Sequence, residues 1–140
     1  MPTVRTCRFA DDEAAIRAVR VEVFVDEQGI AREEEFDDAD DRCVHVVVRS
    51  DGMPVGTGRL DRDGRIGRIA VLAAHRRRGL GRTVMVALER AAAAQGSERV
   101  YLGAQVTAVP FYERLGYRVF GEPFVEAGIP HRLMEKTVAP

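Results

Sequence analysis

Residues 66–104 constrain the fold more than any other part of the chain. Residues 66–72 read as a short apolar strand. It runs through Ala73-Ala74-His75-Arg76-Arg77-Arg78-Gly79-Leu80-Gly81 into a helix on which Leu80, Val84, Ala87, Leu88 and Ala91 share one face. Gly96 closes that helix near Gln95, and residues 100–104 read as the next strand. Strand, helix and strand in succession make a crossover, so the two strands are expected to run in the same direction with the helix packed on their sheet.

The flanking segments extend this unit on both sides. Residues 4–9 alternate weakly and read as an edge strand. Asp11, Asp12 and Glu13 then suit the positive first turn of a helix. Ile16, Val19 and Val23 form its apolar stripe, Arg17 and Arg20 sit off it, and Gln28-Gly29 ends it. Residues 43–48 and 55–60 flank the turn cluster Ser50-Asp51-Gly52-Met53-Pro54 and read as a hairpin. Asp63-Gly64 adds a second tight turn before residue 66.

Downstream, residues 107–115 read as a helix with Pro110 in its first turn and Gly116 as its cap. Residues 117–120 and 132–138 supply the last strands, and Gly121, Pro123, Gly128 and Pro130 are expected to interrupt regular structure between them. The order is β-α-βββ-α-β-α-ββ. It implies an α/β fold with about seven strands in one central mixed sheet and helices on both faces. With 140 residues, the chain suits a single domain over 1–140.

Composition narrows the function. At 46% apolar and 31% charged, the chain can build a core without metal or disulfide staples. It has no apolar run of the roughly 18–20 residues a membrane helix needs and no apolar signal core at its start, so a cytoplasmic protein away from membranes is expected. Cys7 and Cys43 are expected to be buried or half-buried thiols without chemistry. No His, Cys or Asp pair has ligand spacing, so no metal site is expected.

A net charge of −1 argues against a nucleic-acid binder, but the charge is unevenly spread. Residues 1–63 carry 9 basic and 16 acidic side chains, and residues 64–140 carry 12 and 6. Nine of the acids fall in residues 26–41, which read either as a solvated loop or as an attractor for a cationic substrate. An EF-hand fails there, because Arg42 and Cys43 occupy the fifth and sixth positions counted from Asp38.

The Arg- and Gly-rich turn is the segment that carries chemistry. Unpaired N–H groups at a helix start bind anions, Gly79 and Gly81 let a diphosphate approach the backbone, and Arg76, Arg77, Arg78 and Arg82 can neutralise it. A P-loop is absent, since Arg82-Thr83 stands where Lys-Ser/Thr is needed and the Gly spacing differs. A dinucleotide fingerprint is absent too, because Val84 replaces the third Gly.

The run from Arg76 to Gly81 resembles the acetyl-CoA pyrophosphate motif of the GCN5-related N-acetyltransferase (GNAT) superfamily. Gln105, with Val109-Pro110-Phe111-Tyr112-Glu113-Arg114-Leu115-Gly116-Tyr117, is similar to the second cofactor segment of that family. Val23 to Gly29, Glu35 to Asp41, His45, Gly56 to Leu60 and Ile129-Pro130-His131 resemble its small bacterial ElaA/YjcF-like subgroup, so the likeness spans nearly the whole chain.

The resemblance implies that the strands at 66–72 and 100–104 splay apart, with pantetheine between them contacting Ile69, Ala70 and Val71. Gly103 is expected to mark a bulge or a close approach there. Leu80 completes the pyrophosphate turn and Gln105 the second cofactor contact. Tyr112 falls at the family's general-acid position, and an amide near Val71 polarises the acetyl carbonyl. Glu27, His45 and His131 remain open as the base.

The implied activity is direct transfer of acetyl from acetyl-CoA, a co-substrate, to a primary amine of a small molecule or peptide. A non-catalytic acyl-CoA-binding sensor is the alternative. Exposed strand edges leave room for a homodimer.

Overall fold

The structure is a computed structural model that describes residues 2–138; Met1, Ala139 and Pro140 of the expected 1–140 domain lie outside the described residues. Strand β1 (Pro2–Arg8) leads into helix α1 (Glu13–Arg20), which continues as π-helical turns over Val21–Glu27. Helix α2 (Arg32–Glu35) and a 3-10 turn (Asp38–Asp41) occupy the acidic segment. A three-strand meander follows: β2 (Val44–Ser50), β3 (Met53–Leu60) and β4 (Ile66–Val71). Helix α3 (Leu80–Ala94) crosses to β5 (Arg99–Gln105), and α4 (Val109–Arg114) leads to β6 (Arg118–Glu126) and β7 (Ile129–Thr137). No helix among the described residues is long and apolar enough to cross a membrane.

The seven strands follow the expected order, but the sheet is divided. One half has the order β1-β2-β3-β4 and the other β5-β7-β6, with every strand pair antiparallel. Among the described residues the halves join at a single parallel bridge between Arg65 and Tyr101, where the Tyr101 N–H donates to the Gly64 carbonyl (3.1 Å). Gly64 has φ +92°, and a Cβ there would stand 2.6 Å from the Arg99 carbonyl oxygen, so the join needs glycine at this point. Beyond the bridge the facing edges of β4 and β5 are unpaired.

β6 and β7 run longer than expected. Gly121 and Pro123 lie inside β6, Pro130 lies inside β7, and only Ala127-Gly128 turns the chain, with both residues at positive φ. β6 is an edge strand with a register shift between Phe120 and Phe124, where a proline breaks no required ladder bond.

Both faces of β2, inside the larger half-sheet, are buried. On β2, Val46 and Val48 join the core under α3 with Val84, Met85 and Leu88, while Val47 packs with Ile16 of α1 on the other side. This is the period-2 alternation of a strand covered twice.

A bulge interrupts β4. Thr57 pairs with Ala70 and Arg59 with Gly67, so Arg68 and Ile69 together oppose Gly58. A methyl added to Gly58 would lie 2.6 Å from Ile69 Cδ1 and 2.7 Å from Val84 Cγ1. Gly58→Ala should therefore cost about 1–3 kcal/mol through overpacking, read as a lower denaturation midpoint at an unchanged m-value. An unchanged midpoint would show that the bulge moves aside freely.

Candidate active site

The unpaired edges of β4 and β5 open into a cleft of about 610 Å³. Ile69, Ala70 and Val71 form one side, Gly103 and Gln105 the other, and Tyr112 and Ala108 one end. The Leu72 N–H donates to the Val55 carbonyl at 2.9 Å. In an antiparallel ladder alternate residues point their backbone groups to opposite sides, so those of Val71 face the cleft. The Val71 carbonyl accepts from Arg76 Nε (2.9 Å), and its N–H has no partner in β3.

Beyond β4 the chain turns on two left-handed residues, Arg77 (φ +65°) and Gly79 (φ +77°), before α3 begins at Leu80. The Thr83 N–H closes the first helical bond onto the Gly79 carbonyl (3.1 Å), which leaves the amides of Leu80, Gly81 and Arg82 on the unpaired first turn. Gly79 has open space around it, whereas a Cβ on Gly81 would lie 3.1 Å from Phe111 Cζ. The missing side chain of Gly81 thus admits the α4 ring as well as keeping the turn open. Arg77, Arg78 and Arg82 are exposed, and Arg78 Nη1 lies 3.0 Å from His75 Nδ1.

Arg76 differs from its neighbours, since its guanidinium makes a two-pronged pair with Glu27 (both 2.7 Å) while Nε holds Val71. Its charge is committed to fastening the end of the first helix to β4. The same hydrogen bonds hold the Glu27 carboxyl below the ordinary glutamate range, which makes Glu27 a weak proton acceptor.

α4 positions Tyr112 through packing and its C-cap. The Tyr117 N–H donates to the Tyr112 carbonyl (3.1 Å) and the Gly116 N–H to the Glu113 carbonyl (3.0 Å), a Schellman closure with Gly116 at φ +96°. The Tyr112 ring packs edge-on against Phe111 and Tyr117, at 5.0 and 5.9 Å between centroids. Burial alone pushes its phenol up to about 12, so it stays protonated across the neutral range. Gln105 reaches over the gap and its amide donates to Gln28 Oε1 (3.0 Å).

Two of the three base candidates stand apart from this cleft. His45 is fully buried, its Nε2 2.9 Å from the Asp40 carbonyl and its ring against Phe9, and burial lowers its pKa. Glu27 is held by Arg76. His131 lines the cleft, stacked on Phe124 at 5.3 Å. Its Nδ1 lies 2.6 Å from the Ile129 carbonyl, which only accepts, so Nδ1 carries the hydrogen and the lone pair of the neutral ring is on Nε2.

Gly103 marks no bulge, because β5 pairs with β7 in unbroken register; the bulge is on β4 at Arg68. The absent side chain of Gly103 instead admits the Phe124 ring, with Cζ 3.0 Å from where a Cβ would stand.

The acidic segment is neither wholly solvated nor a bare attractor. Glu35 and Asp40 are buried around Arg20, which is itself 1% exposed although the helical pattern puts it off the apolar stripe. Arg59 bridges Asp37 and Asp40, both at 2.8 Å, and Arg68 reaches Glu35 at 3.0 Å. Hydrogen bonds from Arg59 hold the Asp37 carboxyl down at about 2, while burial raises that of Glu35 against the pull of Arg68 and Arg20. Arg68 has φ +54°, a costly conformation for a residue with a long side chain, and its bonds to the Glu34 and Glu35 carbonyls tie the strained bulge to this loop. No sequence signal marks this network, since every partner is remote along the chain.

A family model described as acetyltransferase (GNAT) domain matches residues 11–138. The Bacillus subtilis (strain 168) protein named uncharacterized N-acetyltransferase YjcF is 48% identical over 122 residues, covering 84% of this chain and 87% of that protein. An acyl-CoA N-acyltransferase from Pseudomonas aeruginosa has a similar structure, with TM-score 0.85, 30% identity and coverage of 97% and 99%. Escherichia coli ElaA is also similar, with TM-score 0.83, 27% identity and coverage of 97% and 99%.

Proposed function

This chain belongs to the GNAT acetyltransferase family, and on that premise we propose that it is an acetyl-CoA-dependent N-acetyltransferase acting on a primary amine of a small molecule or peptide by direct attack in a ternary complex. The observation that carries the reading is the cleft between the unpaired edges of β4 and β5, with the glycine turn leading into α3 beyond one edge and Tyr112 in its lining. Its residues suit a nucleotide thioester. The first-turn amides of α3 with Arg77, Arg78 and Arg82 offer donors and charge for a pyrophosphate, and the open backbone of β4 offers a strand edge for pantetheine.

When bound, acetyl-CoA supplies an activated acetyl group and a thiolate leaving group. The Val71 N–H donates to the acetyl carbonyl oxygen as that oxygen gains charge. His131 Nε2 takes the proton that the acceptor ammonium must lose before its nitrogen can attack, either directly or through a water. Tyr112 holds its own proton at neutral pH, gives it to the departing sulfur, and takes in its place the second proton that the acylated nitrogen sheds. Ile69 and Ala70 line the path, and Gln105 with Gln28 closes over it. Neither cysteine takes part: burial raises the Cys43 thiol to about 11, and Cys7 is raised as well, so neither forms a ready thiolate.

Calorimetry with coenzyme A and acetyl-CoA, followed by thiol release across an amine library, tests this. Saturable binding of both and release that depends on the amine are expected. No uptake at millimolar concentration would remove the reading. Binding without release for any amine would leave an acyl-CoA sensor.

A further inference from the structure

Five arginines line the cleft, and four of them are neutralised. Arg42 pairs with Asp61 (2.9 Å), Arg59 with Asp37 (2.8 Å), Arg68 with Glu35 (3.0 Å) and Arg76 with Glu27 (2.7 Å). Arg65 has no carboxylate in ion-pair reach among the described residues, although it stands in the same cleft. Its place is set by the backbone: it makes the bridge to Tyr101 that joins the two half-sheets.

The surroundings of Arg65 give its charge a direction. Arg65 Nη2 lies 3.7 Å from the point a Gly103 Cβ would occupy, and Phe124 Cζ lies 3.0 Å from that same point. The Phe124 ring stacks on His131, and Glu126 Oε2 lies 4.0 Å from His131 Nε2. Gly103, Phe124 and His131 share one face of the smaller half-sheet, because Gly103 pairs with Leu133 two residues along from His131, and Phe124 pairs with His131. The row is therefore a guanidinium, an apolar floor, and an imidazole with a carboxylate beside it.

We propose that the acceptor is an amine that also carries a carboxylate, bound with the carboxylate on Arg65 and the amine at His131 and Glu126. A planar guanidinium suits two-pronged carboxylate binding, and Glu126 complements an ammonium. Gly103, beside the Arg65 guanidinium, and His131 are diagonal neighbours across the strand pair, with backbones roughly 7–8 Å apart, so an acceptor that reaches both groups is one whose two charges sit on different carbons. This inference rests on the transfer reading, with the amine attacking the acetyl group once its ammonium proton has passed to His131.

Matched acceptors, 6-aminohexanoate and hexylamine, test it in the thiol-release assay with wild type and Arg65→Met. The acid should exceed the amine in kcat/KM by about tenfold or more, as loss of a charge-assisted contact at Arg65 would imply. Arg65→Met should bring that ratio near one, mostly by raising KM for the acid. A wild-type preference for hexylamine, or a ratio that Arg65→Met leaves intact, overturns the proposal. If neither amine releases thiol, calorimetry of 6-aminohexanoate into the CoA-loaded protein separates the two readings. Binding that Arg65→Met abolishes keeps the carboxylate site and sinks the transfer, whereas no binding sinks the site.

Discussion

Tyr112→Phe is expected to lower acetyl transfer by about 10²-fold or more and to leave coenzyme A affinity within about twofold. The substitution removes one oxygen and keeps the ring that packs against Phe111 and Tyr117, so α4 and its cap should stay in place. The loss should fall on kcat, because a proton given to the departing sulfur counts only as the carbon–sulfur bond breaks. With its phenol pushed up to about 12, Tyr112 contributes no ionisation to the rate profile below about pH 10, so an alkaline limb there belongs to another group. Turnover that survives intact in the phenylalanine variant would take Tyr112 out of the mechanism. A parallel loss of coenzyme A binding would make it a packing residue.

The parts of this site that are legible in the sequence are those set by local turn chemistry. The Arg76 to Gly81 run and the Phe111 to Tyr117 run carry their glycines at left-handed or crowded positions, and such requirements show in a single chain. Gly81 is readable as small without showing why, because its crowding comes from Phe111, thirty residues on. The bulge is not readable at all: its left-handed residue is an arginine, held there by Glu34 and Glu35 from another part of the chain.

Arg20 shows the same limit in helical periodicity, which counts an arginine as surface until remote carboxylates bury it. The two half-sheets are joined by one bridge between Arg65 and Tyr101 and part beyond it, a long-range event that strand patterning does not encode. Three base candidates are indistinguishable by residue type and separate only by what surrounds them, with His45 enclosed, Glu27 paired and His131 in the cleft.

Arg20→Ala should destabilise the fold by about 3–5 kcal/mol, a large share of the roughly 5–15 kcal/mol ordinary for a domain. The side chain is 1% exposed and holds four acceptors: Nε on Glu35 Oε1 (3.2 Å), Nη1 on Asp40 Oδ1 (2.6 Å), and Nη2 on the Glu35 carbonyl (2.7 Å) and Asp40 Oδ2 (3.3 Å). It also lies over the Phe36 ring at 4.6 Å. Removal leaves Glu35 with Arg68 and Asp40 with Arg59, so each buried carboxylate keeps one cation and loses the one that joins them. Arg20→Met separates volume from charge: it should recover the packing part and remain short by the lost bonds, on the order of 1–3 kcal/mol.

The pH dependence has a definite sign. Burial would raise the Asp40 carboxyl, but the bonds from Arg20 and Arg59 outweigh it and pull it below 3.8, so its contribution is present above that pH and is lost on acidification through the lowered value. The deficit of Arg20→Ala should therefore be greatest near neutrality, begin to narrow as Glu35, raised above 4.5 by burial, takes up its proton, and narrow further as the pH falls below 3.8. A deficit independent of pH would assign the effect to packing alone. Because Glu34, Glu35 and Asp37 line the cleft, loosening this loop should raise the acceptor KM before it weakens coenzyme A binding, whose cradle follows the end of β4 and is tied down through Arg76.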